Sequence, residues 1–288
     1  MKLPENLKTM MSFLKIKPFE RERKQIYIWC ARSTIETAEN LARELKVEYG
    51  TSPPNPKKHN IVIGWGTTDL KEKSLEFPLK DFKFINSYQE IQNNRDKYRS
   101  VEIMDSKGVR VPKFCKADVM LDRLREQKFR FPLIARRNKH QEGNGLIMCL
   151  CFADVKRALD NKYDYFVEYV PNDIEFRIHI FDGKVIRISK KEERMYPENY
   201  WIKNNKRVWH FKDINIETIE EWDKSIITEC KKAVMSMDMV FGAVDVIYSD
   251  FNIPYVIEIN SAPALNKVGL KRYGEEFKEY INKNFEKK

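Results

Sequence analysis

The chain has 288 residues, a formal net charge of +10 and a hydrophobic share of 42%. It exceeds the ~100–150 residues of one typical domain, so two or three packed units are expected. No run approaches the ~20 apolar residues of a membrane span, and MKLPENLKTMMSFLKIKPFERERK at the start has no signal-peptide apolar core. The basic excess points to an anionic partner, whether nucleotide, nucleic acid or acidic polypeptide, or else to a Lys-rich solvated surface.

Residues 1–24 read as an amphipathic helix or a loose arm. The five cysteines are odd in number and scattered, at Cys30, Cys115, Cys149, Cys151 and Cys230. Cys149 and Cys151 lie two apart in an apolar run, which suits a strand better than a zinc knuckle. A reduced, cytoplasmic protein is expected.

Ile26–Cys30 is a short apolar run. Thr34–Leu45 follows as a helix, with Ser33 as its cap and Ile35, Ala38, Leu41, Ala42 and Leu45 inward. Pro-rich sequence from Ser52 breaks the pattern, and Ile61–Gly66 is a strand running into a turn. Together these predict a small α/β domain over residues 25–90. Gly64-Trp65-Gly66 lacks the third glycine of a dinucleotide loop, because Asp69 stands in its place. It reads as a strand-end turn bordering a cleft.

Ser87–Arg99 reads as one helix, with Asp96-Lys97 near its end. Gly108–Pro112 is a turn and strand. Val119–Glu126 is a helix with Val119, Leu121 and Leu124 inward. Leu133–Ala135 is a strand leading to Arg136 and Arg137, and Leu146–Phe152 is a second strand. Between them Gly143, Asn144 and Gly145 sit in a polar turn. Glycines let backbone N–H groups approach an anion, so this hairpin can drape over phosphates or be an ordinary turn. No Gly-Lys-Ser/Thr follows, which excludes a Walker loop. Asp154–Asn161 is a helix and Tyr165–Val170 a strand.

IEFRIHIF-DG-KVIRISKK is a hairpin with a two-residue Asp182-Gly183 turn. Its register pairs Glu175 with Lys190, Arg177 with Ile188 and His179 with Ile186. Glu175, Arg177, His179 and Lys190 then share one face, and Phe176, Ile178 and Ile180 the other. The polar face is either solvated sheet surface or the wall of a nucleotide site, with Glu175 accepting from ribose hydroxyls and the cations holding phosphates. His179 alone reads as non-catalytic. Lys184–Lys212 carries nine Lys or Arg against three Glu. It interleaves Tyr196, Tyr200, Trp201 and Trp209, and Pro197 and Asn204-Asn205 argue for a long loop. Such a segment grips single-stranded nucleic acid, or its aromatics cover the core.

Glu217–Met237 is a helix with acids in its first turn and a stripe of Ile219, Trp222, Ile226, Cys230, Ala233 and Met237. FGAVDVIYSDFNIPYVIEINSAPAL, from Phe241, is a second hairpin. Asp245 and Glu258 stand inside apolar strands, where a carboxylate is costly unless paired or metal-bound. A loop with an even number of residues puts Asp245, Glu258 and Asn260 on one face. Three oxygen-bearing side chains there suit Mg²⁺ better than zinc, or pair with Lys or Arg. A basic helix, Leu270–Phe285, closes the chain.

The order of these pieces, ending in Asp…Glu-x-Asn, resembles the ATP-grasp superfamily over roughly residues 86–270. It is most similar to the carboxylate–amine ligases around ribosomal-protein glutamate ligases, glutathione synthetase and D-alanine–D-alanine ligase. The resemblance implies two α+β subdomains sandwiching ATP, at 91–170 and 171–288, behind the α/β pre-domain. It implies nucleotide contacts from Lys97, from Arg136 in the place of a second lysine, and from an Asn138–Gly145 lid that includes His140, Gly143, Asn144 and Gly145. Glu168 with the Tyr169-Val170 backbone would meet adenine, and Glu175 and Lys190 the ribose and phosphates. Asp245, Glu258 and Asn260 would hold two Mg²⁺, or Mn²⁺. Arg177 and Asn260 would be catalytic. Ala264, where relatives often have glycine, departs from the pattern. The implied reaction is amide formation through an acyl phosphate, on nucleic acid, an acidic peptide or a metabolite. Phosphoryl transfer to a hydroxyl, as in inositol-phosphate kinases, and a synapsin-like module without chemistry stay open.

Overall fold

A computed structural model describes residues 25–67, 82–138, 145–172, 174–193, 209–215 and 223–285. The first apolar runs form β1 (Ile26–Cys30), α1 (Ile35–Leu45), β2 (Glu48–Gly50), β3 (Ile61–Trp65) and β4 (Lys83–Ile85). The strands pair in parallel in the order β2-β1-β3-β4. Parallel neighbours need a crossover, and α1 supplies it between β1 and β2. A 3-10 turn at Arg32–Thr34 delays α1 by one residue and leaves Ile35 exposed, while Ala38, Leu41 and Ala42 are buried. Asp69 lies outside the described residues. Gly66 has φ +68°, and a Cβ on it would sit 2.8 Å from Cβ of Ala262. The turn therefore abuts the segment after Asn260.

The single helix expected at Ser87–Arg99 is two, α2 (Tyr88–Arg95) and α3 (Lys97–Ser106). Ser87 and Glu90 form a capping box on α2. Asp96 is extended and its carboxylate accepts from the Arg99 N–H at 3.0 Å, so it ends one helix and caps the next. Lys97 thus opens a helix.

The second sheet holds β5 (Phe114–Lys116), β6 (Leu133–Arg136), β7 (Leu146–Cys149) and β8 (Tyr165–Glu168), in the order β5-β8-β6-β7. α4 (Met120–Arg125) and α5 (Phe152–Asp160) cover one face, burying Met120, Phe129, Leu133, Ala135, Val155, Ala158 and Phe166. A 3-10 turn at Ala117–Val119 shifts the phase of α4, so Met120 is buried and Val119 is exposed, against expectation. β7 also ends early. Cys149 is its buried last residue, whereas Cys151 is exposed at the cap of α5.

The third sheet is antiparallel, in the order β11-β10-β9-β12-β13, from β9 (Glu175–Phe181), β10 (Lys184–Glu193), β11 (Trp209–Ile214), β12 (Phe241–Tyr248) and β13 (Pro254–Asn260). The long loop expected at Lys184–Lys212 is therefore strand at both ends. Residues 194–208, with Tyr196, Tyr200 and Trp201, lie outside the described residues. α3 and α6 (Asp223–Ser236) pack on one face of the sheet, against Phe176, Ile178, Ile180, Val244 and Val246. Ile226, Cys230, Ala233 and Met237 are buried as expected, whereas Glu217–Trp222 lie outside the described residues. On the opposite face α7 (Lys267–Phe285) packs Tyr273, Phe277 and Ile281 between Phe181 and Phe241 of this sheet and Ile28 and Trp65 of the first sheet with Leu41 of α1. Phe277 meets Phe181 and Phe241 edge-on, with ring centroids 4.9 and 5.3 Å apart. This wedge covers half of the face and leaves the other half polar.

Candidate functional site

The polar half-face is built by register. Asp245 pairs directly with Glu258, and Ala243 with Asn260. The face matches expectation but the route does not. Tyr248 pairs with Pro254 across a loop of odd length, and a bulge at Ile257 then restores the phase. A second bulge corrects the β9–β10 hairpin. Lys184 faces Phe181 and Val185 faces Ile180 as expected, but Ile186 is extra. Arg187 then pairs with His179, Ser189 with Arg177 and Lys190 with Phe176. Lys190 therefore shares the face of Phe176, and Lys191 takes the place expected for it. Lys191 Nζ lies 2.6 Å from Glu175 Oε1, with both side chains buried.

Glu258, Asp245, Arg177, Ser189 and Asp213 form one transverse row across all five strands. Arg177 donates from Nε and Nη2 to the two oxygens of Asp245, at 2.6 and 2.7 Å. Asn260 Nδ2 donates to Asp245 Oδ2 at 3.3 Å and to Glu258 Oε1 at 3.4 Å. Lys97, from α3, reaches Glu258 Oε2 at 3.1 Å. Burial pushes the Glu258 carboxyl up, but Lys97, Arg136 and Arg177 outweigh it and hold the group well below the usual carboxylate range.

One row lower, His179 lies beneath α7, with Nδ1 3.1 Å from the Tyr273 hydroxyl and Nε2 buried without a partner. Burial first, then Arg187 and Arg177, push His179 down to about 3, so it stays neutral. At the far end of the row, Asp213 Oδ1 accepts from Arg187 Nε and Ser189 Oγ at 2.8 and 2.7 Å.

The second sheet faces this row with Arg136, whose Nε is buried without a partner and whose Cζ lies 5.6 Å from the Tyr165 ring centroid. Asn138, at the base of the expected lid, accepts from the Tyr98 N–H at 2.8 Å, which ties Asn138 to the start of α3 beside Lys97. His140, Gly143 and Asn144 lie outside the described residues. Gly145 has φ +82°. Glu168, Tyr169 and Val170 sit at the other end of β8. Glu168 Oε1 accepts from the Arg130 N–H and lies 3.8 Å from Lys113 Nζ, and the Tyr169 N–H donates to the Pro132 carbonyl. The Tyr169 amide expected to meet adenine is therefore already engaged.

Sequence reasoning missed Lys191, Ser189, Phe211, Asp213 and two buried asparagines. Asn86 bonds the backbone at the start of β12, and Asn94 Nδ2 donates to the Ile259 carbonyl at 2.9 Å, between Glu258 and Asn260. Only the register and the buried amides reveal them.

The donor set fits a hard cation with a phosphate. Among the described residues no three His, Cys, Asp or Glu side chains form a cage. A divalent ion here would take Asp245, Glu258 and the Asn260 carbonyl and complete its shell with phosphate and water oxygens, as Mg²⁺ does. The guanidinium of Arg177 and ammonium of Lys97 already supply positive charge there.

Residues 94–277 match the profile of a RimK-like ATP-grasp domain. A "Probable alpha-L-glutamate ligase" of Methanococcoides burtonii is 23% identical, over 88% of this chain and 90% of that protein. The D-alanine–D-alanine ligase of Bacillus anthracis superposes with a TM-score of 0.65 at 18% identity, covering 89% of this chain and 93% of that one. The macrocyclase MdnC of Microcystis aeruginosa, solved bound with its precursor peptide, gives 0.60 at 10% identity, covering 91% and 100%. At these identities the superpositions speak for the fold.

Proposed function

This chain belongs to the RimK-like ATP-grasp family, whose profile spans residues 94–277, and is an ATP-dependent carbon–nitrogen ligase; from that premise we propose that it activates a carboxylate as an acyl phosphate and joins it to the amine of an amino acid on an acidic polypeptide. The observation that carries this reading is the row itself. Asp245 opposes Glu258, with Asn260 between them, Arg177 beside them and Lys97 reaching in from α3.

Lys97 and Arg136 meet the phosphates of ATP. The buried Nε of Arg136 regains a partner there, which supports the assignment because an unpaired buried donor is costly. His140, Gly143, Asn144 and Gly145 close over the phosphates as a lid. Glu175 accepts from the ribose hydroxyls, Lys191 acts beside it, and Glu168, Tyr169 and Val170 border the adenine. Mg²⁺ held by Asp245, Glu258 and Asn260 supplies Lewis-acid neutralisation of phosphoryl charge. A substrate carboxylate oxygen attacks the γ-phosphorus, and the bond to the bridging oxygen breaks, releasing ADP. Arg177 neutralises the charge that develops on the transferred group. The amine nitrogen then attacks the acyl carbon, gives up its proton, and phosphate leaves with the carbon–oxygen electron pair.

The relative named as an α-L-glutamate ligase supports an amino-acid amine. The net charge of +10 and the basic Lys184–Lys212 segment support an acidic acceptor. In this reading residues 91–170 and 171–288 are the two halves around ATP, behind 25–90. The test is incubation of the full chain with Mg·ATP, pooled amino acids and a Glu-rich peptide. ADP release with a peptide mass gain of one amino acid minus water is expected. Phosphorylated product without amide, or amide formed on oligonucleotide and not on peptide, refutes the proposal.

A further inference from the structure

β11 is an edge strand that the sequence did not predict, and two of its side chains join the polar face. Phe211 and Asp213 lie two residues apart and so point the same way. Phe211 pairs with Lys191, and Asp213 with Ser189. The Arg177 guanidinium carbon lies 4.3 Å from the centroid of the Phe211 ring, and Lys191 Nζ lies 5.4 Å from it. Arg177 is two strands away, about 10 Å at ~4.8 Å per strand. The two side chains therefore lean together over β10, where the small Ser189 separates Arg177 from Asp213 in the row and Phe211 lies one side-chain step along, opposite Lys191.

The face of an aromatic ring is electron-rich and attracts a cation most when water is kept away. Arg177 meets that condition, because only 19% of its side chain is exposed. Asp245 fixes one edge of the guanidinium through Nε and Nη2. An edge contact sets direction and leaves the plane free to tilt. The ring supplies the missing constraint.

We propose that Phe211 is a positioning residue that fixes the plane of the Arg177 guanidinium, keeping it aimed along the row when phosphate oxygens compete with Asp245 for it. The proposal rests on the ligase reading only for its effect on turnover, since the contact exists without ligand.

Two variants of the full chain test it. Phe211→Leu keeps apolar bulk and removes the ring, whereas Phe211→Tyr keeps the ring. The first readout is NMR hydrogen exchange of the Arg177 Nε–H in ligand-free protein, identified by its loss in Arg177→Lys. The second is kcat and KM for ATP in the ligation assay. In Phe211→Leu the exchange should quicken several-fold, and kcat should fall roughly tenfold with KM for ATP within threefold of the parent. Phe211→Tyr should restore both. Unchanged exchange in Phe211→Leu overturns the proposal. So does a fall in kcat without faster exchange, or a tyrosine variant that behaves like leucine. If the parent shows no ligation yet exchange still follows the ring, the positioning role stands and the ligase reading falls.

Discussion

Arg177 and Asp245 make two charge-assisted hydrogen bonds, at 2.6 and 2.7 Å, with 19% and 8% of their side chains exposed. A pair this dry is strongly destabilised when one partner is neutralised, because the other stays buried and uncompensated. Breaking such a pair costs ~3–5 kcal/mol. Asp245→Asn falls toward the lower end, since Glu258 still attracts Arg177. Arg177→Gln alone strands a carboxylate that is 5% exposed as a residue. The double variant Asp245→Asn/Arg177→Gln strands neither charge, so it should be more stable than the sum of the singles by ~1–3 kcal/mol. Catalysis should not follow stability. In the proposed reaction each single change removes a group that meets transferring phosphate or its counter-ion, and losing one such group costs about 10²–10³ in kcat. The double variant should remain inactive. Urea unfolding gives the stabilities, and ADP release gives the rates. Recovery of both stability and activity in the double variant would reduce the pair to a structural bridge. No recovery of stability would show that the two groups are not coupled.

His179 predicts an acid-sensitive fold. Its folded pKa of about 3 lies below the ~6.5 of an unfolded histidine, so below pH ~6.5 the unfolded chain binds more protons. Stability is intact above that pH and declines as pH falls toward 3, by up to ~1.4 kcal/mol per unit. His179→Gln should flatten the slope between pH 7 and 5 in urea titrations, and an identical slope counts against the buried neutral imidazole. The bulge at Ile186 predicts that Lys191→Met raises KM for ATP roughly tenfold, in keeping with the loss of ~1.4 kcal/mol of binding, whereas Lys190→Met leaves it unchanged; steady-state kinetics would expose an inverted order. Gly66→Ala should cost ~1–2 kcal/mol, because its φ of +68° disfavours a side chain and the new Cβ would crowd Ala262. Thermal unfolding at unchanged melting temperature would contradict that.

The site was legible wherever a local rule was strong. Asp245 and Glu258 stood out as acids inside apolar strands, the Asp182-Gly183 turn formed as read, and Ile226, Cys230, Ala233 and Met237 of the expected α6 stripe are buried. What escaped depended on one inserted residue. A bulge at Ile186 moves every later side chain of β10 to the other face, and no residue type marks it, because Ile186 is an apolar β-branched residue like Val185 before it and Ile188 after it. Parity at the last hairpin came out right through two deviations that cancel, an odd loop and the bulge at Ile257. β11 was hidden because Trp209–Ile214 is half polar and belongs to an edge, where solvent faces much of the strand. Asp96 could have been read as a cap with Arg99 three residues on, but helical periodicity on both sides of it outweighed that signal.

The ligand-free site is already balanced. Asp245 has Arg177, Glu258 has Lys97, Glu175 has Lys191 and Asp213 has Arg187. Buried charges need such partners, so the fold holds this face together with the same groups that the proposed chemistry would use. In the ligase reading, bringing phosphate alone would draw Lys97 and Arg177 away and strand two carboxylates, and bringing a divalent cation alone would strand two cations. Only arrival of both together leaves every group paired. Nucleotide and metal are then linked through a shared exchange of partners, and a linkage of this kind acts equally in both directions. The bulges matter for the same reason. They set the phase that brings Arg177, Asp245, Glu258 and Lys191 to one face, and a strict two-residue alternation along β13 or β10 would have split these pairs between the cleft and the apolar core.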